Sequence, residues 1–226
     1  MKPITFGMSP TRSLGQHVVV RRHGFTLPKS RERHRAFTLI ELLIVITIIA
    51  VLLGLLFPAF QGVQDRARKT QAKNDLAQII TAVNAFYTEF GTYPSLFAPE
   101  MTFDAKNGND TDKLFNELRG NQYAALNTRQ ISFVSFPSVK DDNQPKGGFA
   151  SNGRLYDPWG TQYVVRLDTD YDNKISNPYS KNAGATPQID AGVIAWSFGP
   201  DAKSQSTSAQ VDKKSGTNAD DVLSWQ

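Results

Sequence analysis

The sequence predicts an α+β protein in which one long N-terminal helix, half of it transmembrane and half amphipathic, packs on a small antiparallel β-sheet. Three observations predict it. Residues 37–57 are almost wholly apolar, residues 61–91 place apolar side chains at helical spacing, and beyond residue 92 short runs are divided by turn residues. At 226 residues, with 40% hydrophobic and 20% charged content, the chain has room for one ordinary domain and a long appendage.

Residues 1–36 hold eight Lys/Arg against Glu32 alone, a charge of +7, with no sustained apolar period. They read as a basic targeting leader that stays in the cytoplasm. Under the positive-inside rule, "RERHR" holds the near end of the apolar run there and sends the C-terminal bulk across. The remaining residues carry 17 Lys/Arg against 20 Asp/Glu, so the whole-chain pI near 9.2 is no footprint of nucleic-acid binding. There is no cysteine, and His17, His23 and His34 all precede residue 37. Loss of the leader would leave no imidazole, which disfavours cysteine, histidine and zinc catalysis, and no enzyme is expected.

Residues 37–60 form the predicted transmembrane and assembly helix. The apolar stretch of 21 residues spans about 31 Å as a helix, the thickness of a bilayer's hydrocarbon. Residues 61–91 continue it as an amphipathic half, with Leu76, Ile79, Ile80, Val83, Phe86, Tyr87 and Phe90 on the inner side. Gly91 supplies the stop, Pro94 prevents continuation, and Gly54 and Pro58 are expected to weaken or kink the helix. Residues 92–226 form the globular C-terminal domain. "ISFVSF" (131–136), "TQYVVRL" (161–167) and "VIAWSF" (193–198) read as strands, and "KDDNQPKGG", "YDPWG" and "SNPYSKNAGATP" as turns or loops. The stretch "AKSQSTSAQVDKKSGTNADD" reads as a polar loop.

Glu41 is the single charge inside the apolar run. A carboxylate at the hydrocarbon edge costs a few kcal/mol unless it is paired. It is also compatible with an acid near a helix start, favoured by the helix dipole and snorkelling to the headgroups. The string "RAFTLIELLIVITIIAVLLGLLFPAF" resembles the N-terminal motif of the type IV pilin superfamily, which includes type IV pilins and the pseudopilins of type II secretion. The matching features are a basic leader, a small residue, Phe, the "TLIE" string with its acid at the fifth mature position, a long apolar helix and a proline within it. The resemblance implies a pilin-like fold, cleavage between Ala36 and Phe37 by a prepilin peptidase, and N-methylation of Phe37. Ala36 stands where the family usually has Gly. In the filament so implied, Glu41 of one copy neutralises the Phe37 ammonium of a neighbour, where low dielectric strengthens the attraction. "HGFTLPKS" (23–30) also has Gly before "FTL", but it lacks the acid, is interrupted by Pro28 and reads as leader.

"YDPWGTQYVV", "VIAWSFGPDAK" and "ADDVLSW" resemble the major pseudopilin of type II secretion. That resemblance implies a homo-oligomeric filament, an inner-membrane secretion platform and minor pseudopilins as partners, and a single-pass inner-membrane protein with a periplasmic domain. It also implies calcium in the C-terminal loop, with Asp201 and one of Asp220 or Asp221 as side-chain ligands and a carbonyl near Phe198. Calcium takes hard oxygen donors, which need neither Cys nor His. The alternatives are a type IV pilus pilin for adhesion or motility, or a pilin-anchored, calcium-dependent glycan-binding module.

"DTDYDNKI" spaces Asp168, Asp170 and Asp172 as in the first half of an EF-hand-type loop, with Asn173 at the left-handed position and Tyr179 where a bidentate Glu would stand. It reads either as a weak calcium loop or as a polar hairpin turn. Trp159, Trp196, Trp225, Tyr156, Tyr163 and Phe198 read as core, with a sugar-stacking surface as the alternative.

Overall fold

The structure is a computed structural model of the chain and describes residues 37–94, 100–105, 111–121, 126–179, 181, 186–203, 213–214 and 216–226. The leader with Ala36, and most of the polar stretch after Lys203, lie outside the described residues. The chain divides into two compact units, Met1–Ile49 and Ala50–Gln226.

Helix α1 runs Leu39–Phe90 without a break in its assignment at Gly54 or Pro58. Its apolar side chains from Leu39 to Phe57, with Phe60 and Val63, are exposed. Among the described residues it is the helix long and apolar enough to cross a membrane by length and composition. Farther along, Ala72, Leu76, Ile79, Ala82, Val83 and Phe86 are buried, a stripe set by steps of three and four. Burying each large side chain contributes about 1.5–3 kcal/mol. Ile80 and Phe90 are packed at the stripe's edge, whereas Tyr87 is 39% exposed and stacks on Tyr93 at 4.8 Å. At the end of α1 the Gly91 N–H donates to the Tyr87 carbonyl at 2.8 Å with φ +71°, the left-handed stop that glycine adopts at little cost.

The main sheet is fully antiparallel, in the order β1 (Glu100–Phe103), β4 (Val164–Asp168), β7 (Val193–Ser197), β8 (Val222–Leu223). Two small pairs flank it: β2 (Gly148–Phe149) with β3 (Leu155–Tyr156), and β5 (Ile175–Ser176) with β6 (Gln188–Ile189). Alternation divides the sheet between two cores. Val165, Leu167, Val193, Ala195 and Val222 join the α1 stripe, while Val164, Ile194, Trp196 and Leu223 join Ile175, Tyr179 and Phe198. Both faces are covered, so the two longest strands read as nearly continuous apolar runs.

The predicted strand at 131–136 is not one. Residues 131–137 enter no ladder; Phe133 N–H donates to the Leu118 carbonyl and the Pro137 carbonyl accepts Phe149 N–H, both at 2.8 Å, and a side chain holds Ile131. Asn127 donates to the carbonyls of Glu117 and Ile131 at 2.8 and 2.7 Å and accepts from Ile131 N–H at 3.0 Å. Glu117, buried in α2 (Thr111–Leu118), accepts the Asn127 N–H at 2.9 Å. The alternation reports a half-buried edge in which Val134 is buried and Phe133 and Phe136 are partly so. Neither α2 nor β1 was foreseen.

Candidate functional site

At the start of α1 the "TLIE" string forms a reciprocal cap. Glu41 Oε2 accepts from the backbone N–H and the hydroxyl of Thr38, both at 3.0 Å, and Glu41 N–H donates to the Thr38 hydroxyl at 3.2 Å. This is the Thr-x-x-Glu capping box, which satisfies amides that the first turn leaves without partners. Sequence reasoning treated Glu41 as a charge and passed over Thr38, although the spacing was legible. Phe37 is 81% exposed beside the cap.

"DPWG" is held by its aspartate. Asp157 is fully buried, and its Oδ1 accepts from the N–H groups of Trp159, Gly160 and Thr161 at 3.0, 2.8 and 2.8 Å. Its other oxygen takes the Ser197 hydroxyl at 2.5 Å, and the same Ser197 oxygen accepts Gly199 N–H at 3.1 Å. The turn is thereby bonded to the end of β7, where the C-terminal loop begins. Burial raises the Asp157 carboxyl above the ordinary range, opposed by these bonds. A second buried carboxyl, Asp75 on α1, accepts the Tyr163 hydroxyl at 2.7 Å and is also raised chiefly by burial.

The C-terminal loop enters through a 3₁₀ turn, Gly199–Asp201, after Phe198, itself buried in the second core. Asp201 N–H donates to Asp220 Oδ2 at 3.3 Å, while Asp201 Oδ1 takes the Lys203 N–H at 2.9 Å. Asp221 is buried and its Oδ2 accepts the Tyr179 hydroxyl at 2.6 Å; its Oδ1 meets no hydrogen-bond partner among the described residues. Burial pushes Asp221 up to about 7, opposed by the Tyr179 bond and the nearby Lys213 charge. Lys213 reaches across the loop and donates to the carbonyls of Asn218 and Ala219, each at 3.0 Å. Nothing in the sequence signalled this lysine.

The acidic loop after β4 is built differently. One ligand oxygen each from Asp168, Asp170 and Asp172 lie within 4.8 Å of one another, and together they could hold a metal ion. Among the described residues this is the acidic trio that converges so. Asp168 is buried and accepts Tyr171 N–H at 2.9 Å and Asn173 N–H at 2.7 Å; Asp172 accepts Lys174 N–H at 2.8 Å. Burial first, then Asp170, raises the Asp168 carboxyl. Asn173 takes the left-handed conformation expected of it, φ +59°, and Tyr171 does too, at +63°. Tyr179, the twelfth position, turns into the second core and bonds Asp221 instead.

Tyr163, Trp196 and Phe198 are buried, and Trp225 packs against Trp196 and Tyr179 at centroid distances of 6.0 Å. Their role is packing. Another aromatic cluster lies elsewhere: the buried Tyr93 stacks on the exposed Tyr87 and Tyr171 at 4.8 and 5.5 Å, and those two rings are 6.0 Å apart.

Comparison with known proteins bears on the whole arrangement. Residues 31–57 match the model of the prokaryotic N-terminal methylation motif. The chain is 42% identical over 77 residues to the type IV major pilin protein PilA of Myxococcus xanthus, a match covering 34% of each protein. It is 33% identical over 140 residues to the type II secretion system core protein G of Pectobacterium carotovorum, covering 61% of this chain and 69% of that one. With the same protein of Dickeya chrysanthemi it shares 32% over 170 residues, covering 74% and 89%. No solved structure matches at a comparable level. The motif and the apolar helix make this a membrane-anchored, single-pass protein. By these extended matches and the helix-on-sheet fold, the chain belongs to the type IV pilin superfamily, within the type II secretion core protein G family.

Proposed function

We propose that this protein is the major subunit of a type II secretion pseudopilus, a filament that supports export of folded proteins. The observation that carries the reading is similarity to protein G along both the N-terminal motif and most of the chain. The subunit is stored in the inner membrane through the apolar half of α1, with residues 92–226 in the periplasm. A prepilin peptidase cuts between Ala36 and Phe37 and the new amine is methylated. Assembly then buries the exposed apolar face of α1 against other copies, and Glu41 of one copy meets the Phe37 ammonium of another. The work is mechanical and needs no catalytic residue; the secretion platform and minor pseudopilins are its partners. A divalent ion, calcium by the hardness of its oxygens, is held at Asp168, Asp170 and Asp172.

Mass spectrometry of the mature N-terminus is the direct test, and a methylated Phe37 is the expected result. Glu41→Ala should abolish filament assembly while the subunit stays in the membrane; assembly at the wild-type level would overturn the pairing. The similarity to Myxococcus PilA favours a type IV pilus as the second reading. Deletion of the gene separates the two: loss of export supports the first, and loss of surface motility with export intact supports the second.

A further inference from the structure

We infer that Arg66, Lys69 and Lys73, with Arg68 beside them, form a cationic collar on α1 that binds anionic phospholipid headgroups at the end of the membrane span remote from the leader. The sequence sets the collar in place. Residues 37–65 contain no Lys or Arg, whereas residues 66–73 contain four, and Asp65 is the one acid from 58 to 74. Steps of three and four along the helix put Arg66, Lys69 and Lys73 on one face. All four cations are exposed. Among the described residues Arg68 pairs with Asp65 at 3.8 Å, while Arg66, Lys69 and Lys73 enter no ion pair.

Position along the helix selects lipid as the partner. The exposed apolar face continues past Phe57 through Phe60 and Val63. With Val63 at the hydrocarbon boundary, Arg66 stands about 4.5 Å beyond it along the axis and Lys69 about 9 Å. The headgroup layer on each side of the hydrocarbon is about 5–8 Å deep, so these two cations lie in it or at its edge. Lys73 is about 6 Å farther out, still within reach of a surface whose field decays over about 8–10 Å, and helix tilt brings all of them closer. Side chains lean toward the N-terminus of their helix, which here is the membrane, and long Lys and Arg stems can lie on apolar surface while their heads meet phosphate. Arginine grips a phosphate through two parallel donors and lysine as a point charge. The rest of the chain sharpens the preference. Residues 75–226 carry 13 Lys/Arg against 18 Asp/Glu, a charge of −5, so an anionic surface attracts the collar and repels the domain that follows it. Like charge also gathers beside the collar: burial first lowers the Lys213 ammonium, and Lys69 and Lys73 add to that, against Asp221 and Asp220.

The inference rests on α1 crossing a membrane and not on the secretion role, so either can fail alone. The full mature chain, Phe37 to Gln226, is reconstituted in phosphatidylcholine vesicles, which keeps the leader's cations out of the measurement. Electron paramagnetic resonance of spin-labelled phosphatidylglycerol and phosphatidylcholine then reports which lipid is held at the protein's perimeter. The anionic lipid should be held about threefold more than the zwitterionic one, and the preference should vanish in about 0.5 M NaCl. It should also vanish when Arg66→Gln, Lys69→Gln and Lys73→Gln are combined, changes that keep helix propensity and should leave the far-ultraviolet circular dichroism unaltered. Arg66→Lys with Lys69→Arg and Lys73→Arg, which keeps the charge, should keep the preference. Equal retention of the two lipids by the unsubstituted chain would overturn the inference. So would a preference that survives the three glutamines, which would assign it to the Phe37 amine or another part of the chain. If those glutamines instead abolish cross-linking between copies and leave lipid retention unchanged, the face belongs to the acids of a second copy and the inference fails.

Discussion

The loop at 168–174 and the loop at 198–221 carry similar numbers of acids, yet they meet the same electrostatic problem in opposite ways. In the first, three carboxylates converge and backbone amides share their charge, leaving an oxygen-lined space suited to an external cation. In the second, among the described residues, Asp201, Asp220 and Asp221 each accept from a tyrosine hydroxyl or a backbone amide, and Lys213 donates to the Asn218 and Ala219 carbonyls beside them. Acid spacing alone does not make a metal site.

The largest break in this contrast should come from Asp157→Ala. It removes three turn bonds and the Ser197 bond at the root of the second loop, and should cost about 3 kcal/mol in denaturant unfolding. Amide exchange should accelerate at Gly199 and Asp201 more than at Tyr171 and Asn173. A loss below about 1 kcal/mol would show that the turn does not brace the loop.

Next in size is the lanthanide response. Terbium bound at 168–172 should luminesce when the adjacent tyrosines are excited, and Asp168→Asn should reduce the signal at least tenfold. Asp221→Asn should leave it intact. Equal losses would erase the distinction between the loops.

The pH dependence sharpens it further. Asp221 is held at about 7 when folded, against an ordinary value of 3.8, so the folded state keeps a proton that the unfolded state releases. Its contribution to stability is therefore fully present below about pH 4 and is lost as pH rises through about 7. Asp75 and Asp157, both raised by burial, act in the same direction. Asp221→Asn should flatten the upper part of a Tm-against-pH curve between pH 5 and 8, whereas an unchanged slope would remove Asp221 as its source. The smallest effect is expected from Asp172→Asn, whose exposed carboxylate accepts one local amide: within about 0.5 kcal/mol in metal-free buffer.

Much of this fold was legible because its signals are local. The α1 stripe from Leu76 to Phe86, the stop at Gly91 and the two central strands all follow from period and turn chemistry. The edges were less so. "ISFVSF" alternates like a strand, but pairing depends on a free neighbour, and Asn127 takes the amide and carbonyl of Ile131 while Phe133 N–H goes to the Leu118 carbonyl. Helix α2 is only eight residues long, too short for its period to stand out. At the candidate site, Asp157 was quoted within its motif without its role, since Ser197 lies forty residues away. Lys213 was invisible for a different reason, as its partners are backbone carbonyls, which carry no sequence signature.

The Thr38–Glu41 box has a consequence for how such subunits wait and leave. A monomer in lipid carries a carboxylate already satisfied by its own first turn, so the reservoir is not poised on a naked charge. Under the proposed pairing, joining a neighbour exchanges the Thr38 bonds of that carboxylate for a charge partner brought by another copy.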